Sequence, residues 1–231
     1  MSKNIKNIKN IKITVLGGLA VGKTQIVNVF TGINFNAYDH PGMDNIITYI
    51  KMRDGKTIKL IIFDTAGVER FHSLSINTVK YVQGVILIFD LTYMKSFKNI
   101  KNWLKEIKDI NKTIPIILLG NKCDLDNKRE VSKEEAEQFA KENNLKYFET
   151  SAKNNINIKE GFEEIANKIY DTNIINEDII KEEDNSIKQK EENINQISLN
   201  NNIQNQNKQN IINYYKYPFK NFKNLNKYYK Y

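Results

Sequence analysis

Gly17-Gly18-Leu19-Ala20-Val21-Gly22-Lys23-Thr24 fits the pattern G-x-x-x-x-G-K-[ST]. An apolar run, residues 11–16, leads into it, and a helix-like pattern over 23–30 follows. That strand–loop–helix context is what the motif requires. Glycines let the backbone wrap a phosphate and aim its N–H groups inward, and the helix N-terminus adds positive potential. In such a loop Lys23 reaches the β- and γ-phosphates and Thr24 offers its hydroxyl to Mg²⁺. The stretch predicts a nucleotide phosphate site on an α/β fold.

Outward from the loop, apolar runs alternate with amphipathic ones. Buried-strand candidates are 11–16, 57–63, 84–89, 114–119 and 145–148, and helix patterns fill 23–30, 74–81, 96–110, 132–143 and 156–169. Ser132 followed by Glu135 forms a capping box. Residues 45–53 and 57–63 flank Asp54-Gly55, a two-residue hairpin signal. Alternation of this kind predicts a parallel sheet with helices on both faces and one antiparallel edge pair.

At 231 residues, with 40% hydrophobic and 27% charged, the chain suffices for one ordinary domain and some excess. Mean hydropathy of −0.55 places a strongly polar portion somewhere. Residues 1–12 repeat Lys-Asn-Ile, and 171–231 are rich in Asn, Gln and Glu, then in Lys and Tyr. The expected division is a low-complexity basic lead-in over 1–10, a folded domain over 11–170 and a disordered tail over 171–231. Four lysines without an acid in 1–12, and five in 211–231, leave the body of the +8 chain near neutral. Only Arg53, Arg70 and Arg129 are arginine, which argues against nucleic-acid recognition. No apolar run is long enough to span a membrane, and the start shows neither a signal peptide nor a myristoylation glycine. One cysteine, Cys123, excludes a disulfide framework and, with only His40 and His72, a metal site of soft ligands. The expected setting is intracellular and cytoplasmic.

The base specificity is written further along. Asn121-Lys122-Cys123-Asp124 follows the apolar run that ends at Gly120, at the carboxyl end of a strand candidate. The Asp124 carboxylate can accept hydrogen bonds from guanine N1–H and the 2-amino group. Adenine offers neither donor and leaves the carboxylate unpaired. Glu149-Thr150-Ser151-Ala152-Lys153 supplies a second loop.

With these motifs the chain resembles a Ras-superfamily small GTPase, most like the Rab branch, over residues 11–170. Asp64-Thr65-Ala66-Gly67, Glu69-Arg70-Phe71, Asn121–Asp124 and Glu149–Lys153 stand in family order. The resemblance implies a P-loop NTPase small G-domain with a six-stranded, mostly parallel sheet. It implies GTP/GDP and Mg²⁺ as cofactors, with Asp64 holding the ion through water. It places the Gly67 N–H at the γ-phosphate, Phe35 on the guanine, and Ser151, Ala152 and Lys153 at the base. By the same resemblance, partners are protein effectors and an exchange factor, the chain is a monomer, and its work lies in vesicle trafficking.

Departures from the family pattern are as informative. The first-switch Thr has no counterpart among His40, Pro41, Gly42 and Met43, none of which bears a hydroxyl. Val68 stands where the family has the Gln that orients water, and valine can neither donate nor accept. Leu19 replaces a small phosphate-loop residue. Slow hydrolysis is expected. The alternatives are a pseudo-GTPase scaffold, or an ordinary GTPase whose partner supplies the catalytic groups. No cysteine follows 123, so a prenyl anchor on this sequence is not expected. The basic ends leave open a peripheral contact with anionic endomembranes or a merely solvated tail.

Overall fold

Every residue of Gly84–Asp90 and of Ile116–Asn121 is buried, as expected of parallel strands covered on both faces. The structure is a computed structural model, and it describes residues 10–35, 45–65 and 72–172. In chain order the elements are β1 (Asn10–Gly17), α1 (Lys23–Phe30), β2 (Asn45–Lys51), β3 (Thr57–Asp64), α2 (His72–Asn77), β4 (Gly84–Asp90), α3 (Met94–Lys98), α4 (Ile100–Ile110), β5 (Ile116–Asn121), α5 (Lys133–Glu142) and β6 (Lys146–Glu149). A last helix, α6, is described over 158–172. Six strands form one sheet in the order β2-β3-β1-β4-β5-β6. Only the β2–β3 pair is antiparallel. This is the α/β architecture expected from the alternation.

Helices cover both faces. On one, Trp103, Leu104 and Ile107 of α4 and Ala136, Phe139 and Ala140 of α5 join Leu16, Leu87, Phe89 and Leu118 in a single core. On the other, Phe30 of α1 stacks on Phe162 of α6 with ring centroids 3.8 Å apart. There Ile165 and Ile169 of α6 lie so close to Gly84 that a Cβ would meet them at 3.1 and 2.6 Å.

Local details differ from the sequence reading in three places. The hairpin loop has three residues, not two. Met52 N–H donates to Lys56 O at 2.7 Å, and Gly55, left-handed at φ +85°, donates to Met52 O at 2.9 Å. A three-residue loop closed by a left-handed glycine is compatible with strand twist, as the two-residue turn is. The pattern over 96–110 is two helices, α3 and α4, that meet at Asn99; its N–H still donates to Lys95 O at 3.1 Å and its carbonyl accepts from Trp103 N–H at 3.2 Å. Finally, α2 yields to a 3₁₀ turn over Thr78–Tyr81. The capping box forms as read, with Glu135 N–H donating to Ser132 Oγ and Ser132 N–H to the Glu135 carboxylate.

Candidate functional site

Because β1, β3, β4, β5 and β6 run parallel, their carboxyl ends share one edge of the sheet. The loops that leave β1, β5 and β6 carry the phosphate-loop, Asn121–Asp124 and Glu149–Lys153 motifs, and Asp64 ends β3. This edge is where open α/β sheets hold ligands.

The phosphate loop leaves β1 at Gly17 beside β4, so close that a Cβ at Gly17 would stand 2.3 Å from Ile88 O. Gly22 closes it at φ +96°, and a Cβ there would strike Asn121 Nδ2 at 2.3 Å. Both positions are therefore restricted to glycine by a neighbour as well as by backbone angle. Gly22 also caps α1 without any side-chain cap, and no acid occupies the first turn. The positive end of the α1 dipole thus faces the loop with no acidic side chain in the first turn to offset it. Lys23 is 5% exposed. Its ammonium donates to Gly17 O at 3.1 Å and Gly18 O at 2.7 Å. Desolvation lowers its pKa from 10.5 to about 8, and the Asp64 charge only partly opposes that. A buried, poorly solvated cation in a glycine cradle is a site built for phosphate.

The second loop follows β5. Asn121 Nδ2 donates to Val21 O at 2.9 Å, and the neighbouring Lys122 ammonium donates to Ala20 O at 2.9 Å. Consecutive residues of one loop are thus tied to consecutive carbonyls of the other. Lys122 takes φ +69° and Ala20 φ +58°, left-handed angles uncommon for residues with a Cβ. Strain at such angles is sustained only by surrounding contacts. Asp124 accepts from Ser151 Oγ, which also receives Asn154 N–H at 3.0 Å. Thr150 N–H donates to Gly120 O at 2.8 Å and Cys123 N–H to Thr150 O at 3.1 Å, so the two candidate base loops form one unit. Ala152 is buried beneath them, while Lys153 is exposed. Burial, then the charges of Glu149 and Asp124, push the Cys123 thiol up.

Thr24 is half-buried in the first turn of α1, and Asp64, 4% exposed, ends β3. A hydroxyl and a carboxylate are hard oxygen donors of the kind Mg²⁺ takes. Among the described residues no group of three or more His, Cys, Asp or Glu side chains forms a metal cage. A single hydroxyl and carboxylate suit an ion that draws its other ligands from phosphate and water. Phe35 is 37% exposed beyond α1, and Leu19, at the loop's outer rim, is 55% exposed. Gly67, Val68, His40, Pro41, Gly42 and Met43 lie outside the described residues.

Two ion pairs that brace these loops escaped the sequence reading. Arg129 grips both carboxylate oxygens of Glu149 at 2.9 and 3.0 Å, which anchors the 149–153 loop from behind. Asp90 holds the Lys122 ammonium at 2.6 Å. No local pattern announces either pair: strand register sets Asp90 beside Asn121, next to Lys122, and the turn over Asp126–Lys128 brings Arg129 to Glu149.

Comparison with known proteins agrees with this geometry. The Ras family matches residues 12–171. The chain is 41% identical to the Ras-related protein Rab-13 of Rattus norvegicus over 161 residues, 68% of this chain and 79% of that protein. It is 42% identical to Rab-10 of Diplobatis ommata and 40% to Rab-8A of Bos taurus, each across 68% of this chain and 80% and 77% of the relative. The chain belongs to the Ras family of small GTPases, in its Rab branch.

Proposed function

We propose that this protein is a guanine-nucleotide switch of the Rab type whose GTP hydrolysis is slow. The observation that supports it most is the double tie between loops, Asn121 to Val21 O and Lys122 to Ala20 O. A base reader and a phosphate cradle held in fixed register suit one ligand that spans both. In this reading Gly17 and residues 19–24 wrap the phosphates, and the Lys23 ammonium leaves the loop carbonyls for phosphate oxygens. Asn121, Lys122 and Asp124, with Ser151, Ala152 and Lys153 behind them, read the guanine, and Phe35 covers it. Thr24 directly and Asp64 through water hold Mg²⁺, which neutralises phosphate charge when bound. Gly67 meets the γ-phosphate. The nucleotide domain spans 11–170, with the lead-in before it and the low-complexity tail after it. Work in intracellular trafficking, with effectors and an exchange factor as partners, follows from the Rab relatives.

Slow turnover rests on Val68, which has no group to orient water, and on exposed Leu19, which crowds the entry of an arginine finger. Chromatography of the nucleotide released from purified protein tests the switch: GTP is expected. GDP would favour a normal GTPase, and an empty site a scaffold. For specificity, Asp124→Asn is expected to weaken GTP roughly a hundredfold, the loss of charge-assisted bonds, and to admit xanthine nucleotides. Equal ATP and GTP affinity in the unaltered protein would overturn the guanine assignment.

A further inference from the structure

Asp90, the last residue of β4, has a side chain only 7% exposed. Its carboxylate is fully engaged. Oδ1 accepts from Thr92 N at 2.8 Å and from Thr92 Oγ1 at 2.7 Å. Oδ2 lies 2.6 Å from Lys122 Nζ, which in turn donates to Ala20 O at 2.9 Å. The backbone around it is equally fixed, since Ser96 Oγ receives Asp90 N–H at 3.0 Å and Asn121 O receives Leu91 N–H at 3.0 Å. A rigid anion at the end of β4 therefore aims a flexible cation at the phosphate loop.

The consequence is mechanical. A lysine stem has four rotatable carbons, and its ammonium is strongly hydrated. With one neutral carbonyl as its partner, it would exchange that contact readily for water. The buried carboxylate removes this freedom. It confines the ammonium where Ala20 O can be reached, and Ala20 occupies a left-handed angle that needs support. Asn121 pins Val21 from the adjacent position. Loss of Asp90 leaves the Val21 tie alone and lets the loops move apart.

We propose that Asp90 is a positioning residue for nucleotide retention, acting through Lys122 to hold the phosphate loop against the guanine-reading loop. The proposal rests on the nucleotide reading above. It goes further in naming a residue that touches no nucleotide yet sets how long one stays. The clip acts on loop geometry rather than on any one phosphate, so release of GDP and GTP accelerates by the same factor.

The test is the release rate of fluorescent GDP and GTP analogues from the full chain after excess unlabelled nucleotide is added. Asp90→Asn, close to isosteric and still able to accept from Thr92, is expected to speed release of both about tenfold, the scale of one charge-assisted hydrogen bond. Lys122→Met is expected to speed release at least as much. The double variant Asp90→Asn with Lys122→Met should match Lys122→Met alone within about twofold, because coupled residues are not additive. A residue that only supports the fold would give additive effects instead. Thr92→Val, which strips the other oxygen of a partner and leaves the Lys122 contact, should stay within about twofold of the unaltered protein. Circular dichroism checks each variant's fold. If Asp90→Asn does not fold, Asp90→Ala with Lys122→Met removes both charges together and must again match Lys122→Met. Unaltered release from folded Asp90→Asn, or additive effects in the double variant, would overturn the proposal. Failure of the unaltered protein to bind either analogue would instead overturn the nucleotide reading on which it stands.

Discussion

Lys23 shows what a single residue of this site can report. Its ordinary pKa of 10.5 is lowered to about 8 by desolvation, so the folded protein without ligand releases a proton that the unfolded chain keeps. Between roughly pH 8 and 10.5 the unfolded state binds more protons, and stability of the ligand-free protein rises with pH across that window. Below it, the whole cost of burying the ammonium is present. Phosphate reverses the balance by giving the ammonium an anionic partner. Nucleotide binding at pH 8.5 is therefore expected to take up a proton, and binding at pH 6.5 to take up none at this group. Calorimetry in two buffers of different ionisation heat measures the uptake directly, and equal uptake at both pH values would contradict the assignment. Val68 and Leu19 supply the second prediction at this scale. Single-turnover hydrolysis is expected at or below the order of 10⁻⁴ per second, the unassisted scale of a Ras-type site. Val68→Gln combined with Leu19→Gly should raise it. A rate in the unaltered protein equal to that of a partner-stimulated GTPase would place the water-orienting group on another residue.

Among the elements, those set by local chemistry were legible and those set by neighbours were not. The capping box at Ser132 is complete in four consecutive residues, and α5 begins where it says. Ser132→Ala should cost about 1 kcal/mol. For a domain of this size that lowers the melting temperature by about 2–4 °C, which calorimetry resolves, with nucleotide affinity unchanged. The all-apolar runs of β4 and β5 announced central strands for an equally local reason. The phosphate loop and the Asn121–Asp124 loop were legible because backbone geometry and base chemistry restrict their residues. By contrast, the hairpin's third loop residue follows strand twist, which a period does not encode, and no contact of Asn99 explains the division between α3 and α4. The grip of Arg129 on Glu149 and of Asp90 on Lys122 joins residues 20 and 32 positions apart. Spacing along the chain carries no trace of such pairs, since strand register brings Lys122 to Asp90 and the turn over Asp126–Lys128 brings Arg129 to Glu149.

At the scale of the whole molecule, net charge gathers at the two ends of the sequence. Residues 1–12 and 211–231 hold nine lysines without an acid, while the rest of the chain is close to neutral. Each lysine near an anionic bilayer contributes about 1 kcal/mol, and the attraction fades within one Debye length, about 8 Å at physiological salt. Among the described residues no helix is long and apolar enough to cross a membrane. If the ends serve as an electrostatic contact, the full chain should bind vesicles that contain phosphatidylserine and ignore purely zwitterionic ones. Raising salt from 0.05 to 0.5 M should release it. Replacing Lys3, Lys6, Lys9, Lys216, Lys220, Lys223, Lys227 and Lys230 by glutamine should abolish binding and leave GDP affinity as it was, because none of these residues belongs to the proposed nucleotide site. Vesicle co-sedimentation at both salt concentrations decides the matter. Binding that persists at high salt would point to an apolar contact, with Tyr and Phe of 214–231 as its source. Absence of binding at low salt would leave the lysines a role in solubility alone.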